Sequence, residues 1–154
     1  MQGAAHIQGR LGRRIVDGLY LDAMVLADEA RSYFDDLGRA ARDHLPPMAR
    51  VGYGCEAIKV TTRLMHVIAW LLTQRAVEAG ELSPMQAREP SRRLGPAPQT
   101  DVAALAAMPI EAQGLVAASI ELYRRVARFD AGDTEDEAVV SPARVMQQRL
   151  ELIF

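Results

Sequence analysis

The sequence predicts an all-α protein: an antiparallel three-helix bundle with a short C-terminal helix and a proline-rich loop between helices 2 and 3. Three observations carry that reading. Apolar residues recur at helical spacing in three long stretches, no stretch alternates with period 2, and glycine and proline fall where helices end. The 154 residues suit one domain, 1–154, with enough chain for a core. Residues 1–10 are expected to be flexible and residues 90–108 to form a mobile loop.

The first helix is expected to begin near Leu11–Ile15 and to reach about Leu37. Ile15, Leu19, Ala23, Leu26, Ala30, Tyr33 and Leu37 step by threes and fours, which makes a core-facing stripe. Asp17, Asp28 and Asp35 lie opposite, yet Leu21, Met24 and Val25 place an apolar trio on that acidic side. The bundle alone should not bury the trio, so it is the candidate seam of a homodimer. Gly38 is expected as a C-cap, and Pro46-Pro47 ends any extension.

A second helix should run from about Arg50 to Ala79 and close at Gly80 in a left-handed cap. Ala57, Val60, Leu64, Met65, Val67, Ile68, Leu71 and Leu72 fill an arc of ~180°, wider than one neighbour covers, so this helix belongs in the middle. Glu56, Lys59, Arg63, His66, Trp70 and Gln74 share the other arc and are expected to face water. Trp70 between Arg63, His66 and Gln74 has the composition of an interaction hot spot. Lys59, Arg63, His66, Trp70 and Gln74 are therefore the candidate partner-binding residues. The alternative is that the proline-rich loop or the C-terminal helix folds over Trp70.

Ser83-Pro84 offers an N-cap followed by proline, starting a short turn over Met85–Glu89. Pro90, Gly95, Pro96 and Pro98 then make a loop. The third helix is expected from Pro109 to about Phe129. Leu115, Val116, Ile120, Leu122, Tyr123, Val126 and Phe129 should be buried, with Glu121 and Arg125 paired on the wet side. Asp130 to Glu137 reads as an acidic connector, and Ser141-Pro142 opens a last helix carrying Val145, Leu150 and Leu152.

Composition narrows the function. A net charge of -2 gives no global electrostatic case for nucleic acid. No apolar run approaches the roughly 18 residues of a membrane span, and the N-terminus lacks the apolar block of a signal peptide. A single cysteine, Cys55, excludes an internal disulfide and fits a reducing cytoplasm; it is expected as a small buried hydrophobe. Glycine-rich phosphate loops, nucleophile elbows and HExxH pairs are absent, so no catalytic residue, metal or cofactor is assigned. His66 raises a histidine-phosphotransfer alternative, although such domains carry lysine and glycine just after the histidine, where Val67–Trp70 stand here. A small-ligand binder would need a polar group in the apolar arc of helix 2, which shows little besides Thr61.

The stretch Leu19–Asp36 and the pattern Thr-Thr-Arg-Leu-Met-x-x-x-x-Trp-Leu-Leu-x-Gln-Arg-Ala-Val at 61–77 resemble the alphaproteobacterial RcdA family, the regulators of CtrA degradation. Leu122–Asp130 and the Ser-Pro-Ala-Arg sequence at 141–144 match it too. The resemblance implies a helical-bundle homodimer without enzymatic activity, cytoplasmic and recruited to a cell pole. It further implies an adaptor for the ClpXP protease, working with a CpdR-like response regulator and a PopA-like adaptor to deliver CtrA and other substrate proteins.

Overall fold

Helix formation begins early because no proline interrupts the first 45 residues. The computed structural model describes residues 2–138, with side chains between residues 9 and 132. Helix α1 covers Gln2–Ser32, starting well ahead of the expected Leu11–Ile15. A π-helical turn follows at Tyr33–Leu37, then α2 at Arg39–Asp43, α3 at Pro47–Glu78, α4 at Pro84–Ala87 and a 3-10 turn at Pro90–Arg92. Helix α5 covers Val102–Ala106 and α6 Ile110–Ala138. No strand occurs among the described residues. The acidic run after Asp130 continues α6 rather than connecting two helices. The expected helix after Ser141-Pro142 lies outside the described residues.

Three long helices pack together. Leu19, Ala23 and Ala30 of α1 meet Val60, Leu64, Val67 and Leu71 of α3 and Ala112, Val116, Leu122 and Val126 of α6 in one core. Their directions correct the expected antiparallel bundle. Arg13 pairs with Glu78 at 3.7 Å while the Phe34 and Tyr53 rings pack edge-on at 5.5 Å, so α1 and α3 run antiparallel. Asp22 reaches Arg125 at 3.9 Å, and Ile15 packs near Arg128 and Phe129, so α1 and α6 are also antiparallel. In contrast, Arg63 meets Ser119 and Trp70 meets Asp130, so α3 and α6 run parallel. The connection between them must therefore travel back along the bundle, and its length permits that.

Local chemistry explains the ends. Gly80 has φ +75 and closes α3: its N–H donates to the Val77 carbonyl and that of Glu81 to the Ala76 carbonyl. Ser83 caps α4 through the Gln86 N–H, and the Gln86 side chain accepts from the Ser83 N–H. Gly38 differs from expectation, with φ -85 and no left-handed cap. Its role is space: a Cβ there would lie 2.5 Å from the Tyr53 hydroxyl.

The π turn, closed by Gly38 N–H to Tyr33 O at 2.7 Å, also shifts the helical phase. Leu37 consequently leaves the core stripe and is 77% exposed. Phe129, expected inside, is exposed as well. Cys55 is exposed rather than buried, because it falls on the side of α3 that no other helix covers. Arg125 is drawn to Asp22 of α1, leaving Glu121 near Arg128 at 3.9 Å instead of the expected Arg125.

Candidate functional site

One face of α3 carries polar residues at 56, 59, 63, 66 and 70, a spacing of three and four that stacks them in a row. Water does not cover that row. The segment from Arg93 to Asp101 lies along it as a strap. Glu56 is fully buried; its Oε1 accepts from Lys59 Nζ at 2.8 Å and from the Asp101 N–H at 3.0 Å. Arg63 is 1% exposed and donates to Pro98 O at 2.9 Å, Thr100 Oγ1 at 2.7 Å and Ser119 Oγ at 3.3 Å. The His66 ring nitrogen Nδ1 meets Pro96 O at 2.9 Å, and the Tyr123 hydroxyl donates to Gly95 O at 2.6 Å. Trp70 Nε1 donates to Asp130 Oδ1 at 2.9 Å, and the same carboxylate holds Arg93 at 2.8 Å.

The candidate partner-binding residues are thus brought together, but under cover. Trp70 is buried, against the expected water-facing arc and as the alternative of a covered ring had it, but the cover comes from α6, where Asp130 accepts its Nε1 proton, and from α1, whose Val16 and Leu19 line the same cavity as the ring. Lys59, His66 and Gln74 remain partly accessible, with Gln74 beside a 200 Å³ cavity lined also by Val77, Pro84 and Arg93. His66 spends Nδ1 on the strap, and Gly95 backs so closely onto its ring that a Cβ would stand 2.7 Å from it. The ring is a strap contact first. Arg93, Tyr123 and Asp130 were not assigned to the site from sequence, and Glu56 was placed on the polar arc but left out of the partner-binding set. Glu56 had a signal, since it stands seven residues before Arg63 and fourteen before Trp70.

Electrostatics fit a structural role. Burial alone would push the Glu56 carboxyl upward, but the Lys59 ammonium, the Asp101 N–H and Thr100 together hold it below the ordinary value. Burial lowers Arg63, opposed by the field of Glu56. Among the described residues, no group of three or more His, Cys, Asp or Glu side chains could hold a metal ion. No helix there is long and apolar enough to cross a membrane. On the opposite side, Leu21, Met24 and Val25 are exposed by 64%, 43% and 52%.

A family profile described as "Protein of unknown function (DUF1465)" matches residues 7–154. The chain belongs to the DUF1465 family. No curated protein matches it. Among solved structures, RcdA from Caulobacter crescentus CB15 is 33% identical, with a TM-score of 0.62 over 75% of this chain and 87% of that one. This member of the DUF1465 family is therefore RcdA-like in sequence and in fold.

Proposed function

We propose that this RcdA-like chain is a non-enzymatic adaptor that brings substrate proteins, CtrA-like cell-cycle regulators among them, to the ClpXP protease. It acts in the cytoplasm, recruited to a cell pole, as a homodimer, together with a CpdR-like response regulator and a PopA-like adaptor. The similarity to RcdA across the helical bundle carries the reading. The buried polar row supports it: its groups spend their hydrogen bonds on the strap, which suits a scaffold better than a reaction centre. Lys59, Arg63, His66, Trp70 and Gln74 remain the candidate partner-binding residues, Arg63 and His66 through the strap they hold in place. Leu21, Met24 and Val25 remain candidates for the dimer seam.

Reconstituted degradation tests the proposal. Purified ClpXP, the CpdR-like regulator and a tagged CtrA-like substrate are mixed with and without the chain. Substrate half-life should fall several-fold when the chain is present. Equal half-lives across a panel of substrates would overturn the adaptor reading.

A further inference from the structure

Between the strap and α6 lies a cavity of about 460 Å³, lined by Arg63, Pro98, Gln99, Ile120, Tyr123 and Arg124 among others. Among the described residues, no aspartate or glutamate lines it. Arg63 is the unusual member of that wall. Taking a guanidinium out of water is costly unless an opposite charge meets it, and Arg63 is 1% exposed. Yet its hydrogen bonds run to neutral oxygens of Pro98, Thr100 and Ser119. A guanidinium carries five N–H donors, so Nε–H and one N–H of Nη1 are left without an acceptor among the described residues. Glu56 reaches Arg63 through its field alone, and its Oε1 already serves the Lys59 ammonium and the Asp101 N–H. The Asp101 carboxylate is spent on the N–H groups of Ala103 and Ala104. Arg124 adds a second, exposed charge. Its neighbours Arg125 and Arg128 pair with Asp22 and Glu121, while Arg124 has no ion pair among the described residues.

We propose that this cavity binds a carboxylate carried on an apolar body. The carboxylate sits between Arg63 and Arg124, and the body lies against Ile120 and Pro98. Charge complementarity fixes the sign, since two guanidiniums border the space and no acid in its wall answers them. The strap narrows the class. A phosphate brings three acceptor oxygens and is commonly cradled by successive backbone N–H groups, but Pro96 and Pro98 have none to give. The Tyr123 hydroxyl proton is already committed to Gly95 O at 2.6 Å. Two carboxylate oxygens, by contrast, match two arginines. The volume falls within the roughly 300–1,000 Å³ of small-ligand sites, enough for a carboxylate and one ring-sized apolar group. A free organic acid and an acidic side chain of a partner peptide, beside an apolar residue, present the same chemistry. Either would bridge α3, the strap and α6, tightening the ties that Arg63 and Tyr123 already make. Such a site needs no adaptor role, because the cavity and its charges alone define it.

The full chain is titrated with phenylpropionate, phenylpropionamide, inorganic phosphate and a blocked dipeptide of phenylalanine and glutamate, followed by nitrogen–proton NMR. Phenylpropionate should move the Arg63 Nε–H signal and the backbone amides of Gln99 and Thr100, and the shifts should saturate. Phenylpropionamide has the same shape without the charge and should leave them in place. Arg124→Gln should keep the fold, because that side chain is exposed, and should weaken phenylpropionate about fivefold. Arg124→Lys should retain most of the affinity. A dipeptide that binds more tightly than phenylpropionate assigns the carboxylate to a partner peptide. One that binds no better assigns it to a free organic acid, and the site stands in both cases. Equal shifts with the amide, or an Arg124→Gln variant with unchanged affinity, overturn the carboxylate site. So does the absence of saturable shifts with either carboxylate, and phosphate binding more tightly than both overturns the ligand class.

Discussion

Glu56 shows how one buried side chain couples the strap to pH. Its Oε1 accepts from both the Lys59 ammonium and the Asp101 N–H, and the side chain is fully buried. Burial raises its pKa and those partners more than reverse the effect. The folded value thus lies below the unfolded one, about 4.3 for a glutamate. Stability from this pair is present above the unfolded value and is lost as pH falls through the folded one. Glu56→Gln keeps the shape and removes the titration. Urea unfolding should show the variant destabilised by roughly 1–3 kcal/mol at pH 7. It should also show a shallower loss of stability than wild type between about pH 5 and pH 3. Parallel acid curves for the two proteins would place the coupling elsewhere. Arg63, seven residues on, spends its donors on neutral oxygens of the strap and of α6, so the strap is tied at both ends of this turn pair.

At the scale of elements, the strap is held by polar ties from α3 and α6 and by close contact at Gly95. Gly95→Ala would drive a methyl group to within 2.7 Å of the His66 ring, so strap and helix must part. The expected cost is about 1–3 kcal/mol in overall stability. Amide hydrogen exchange should speed up locally over residues 93–101, and uniform exchange along the chain would count against a local tie. Much of the element pattern was legible in sequence. The stripe of α1, the Gly80 closure and the Ser83 cap each depend on residues a few positions apart. The phase shift at Tyr33–Leu37 was not, since nothing in Tyr-Phe-Asp-Asp-Leu distinguishes a π turn from a helical one, and Leu37 was misplaced as a result. The row 56, 59, 63, 66, 70 was visible as a row, but its cover was not. Its partners at Pro96, Pro98, Thr100 and Asp101 lie 30 or more residues away, and a polar stripe reads the same whether water or backbone carbonyls satisfy it.

For the whole molecule, the direction of α6 decides what the long connection must do. Because α3 and α6 run parallel, the chain leaving Ala79 has to return to the level of Gly52, which packs against Ala104. That is about 40 Å along the bundle at 1.5 Å per helical residue. An extended chain covers at most about 3.3–3.6 Å per residue, so at least roughly 12 residues are required. An up-and-down bundle would manage with a tight turn, and the antiparallel bundle expected from sequence left the length of this connection unused. Two replacements of the connection, residues 80–108, separate reach from tethering. A flexible Gly-Ser linker of equal length spans the distance but supplies none of the ties to Arg63, His66 and Tyr123. It should keep the parallel bundle, lower the melting temperature by several degrees, and shift the fluorescence of Trp70, the chain's single tryptophan, to the red as water enters. A linker of about six residues cannot span the distance, so α6 should undock, with near-ultraviolet circular dichroism lost while helicity persists. If the short linker left the near-ultraviolet signal and the melting temperature intact, α6 would have to run antiparallel to α3, contrary to the Arg63–Ser119 and Trp70–Asp130 contacts.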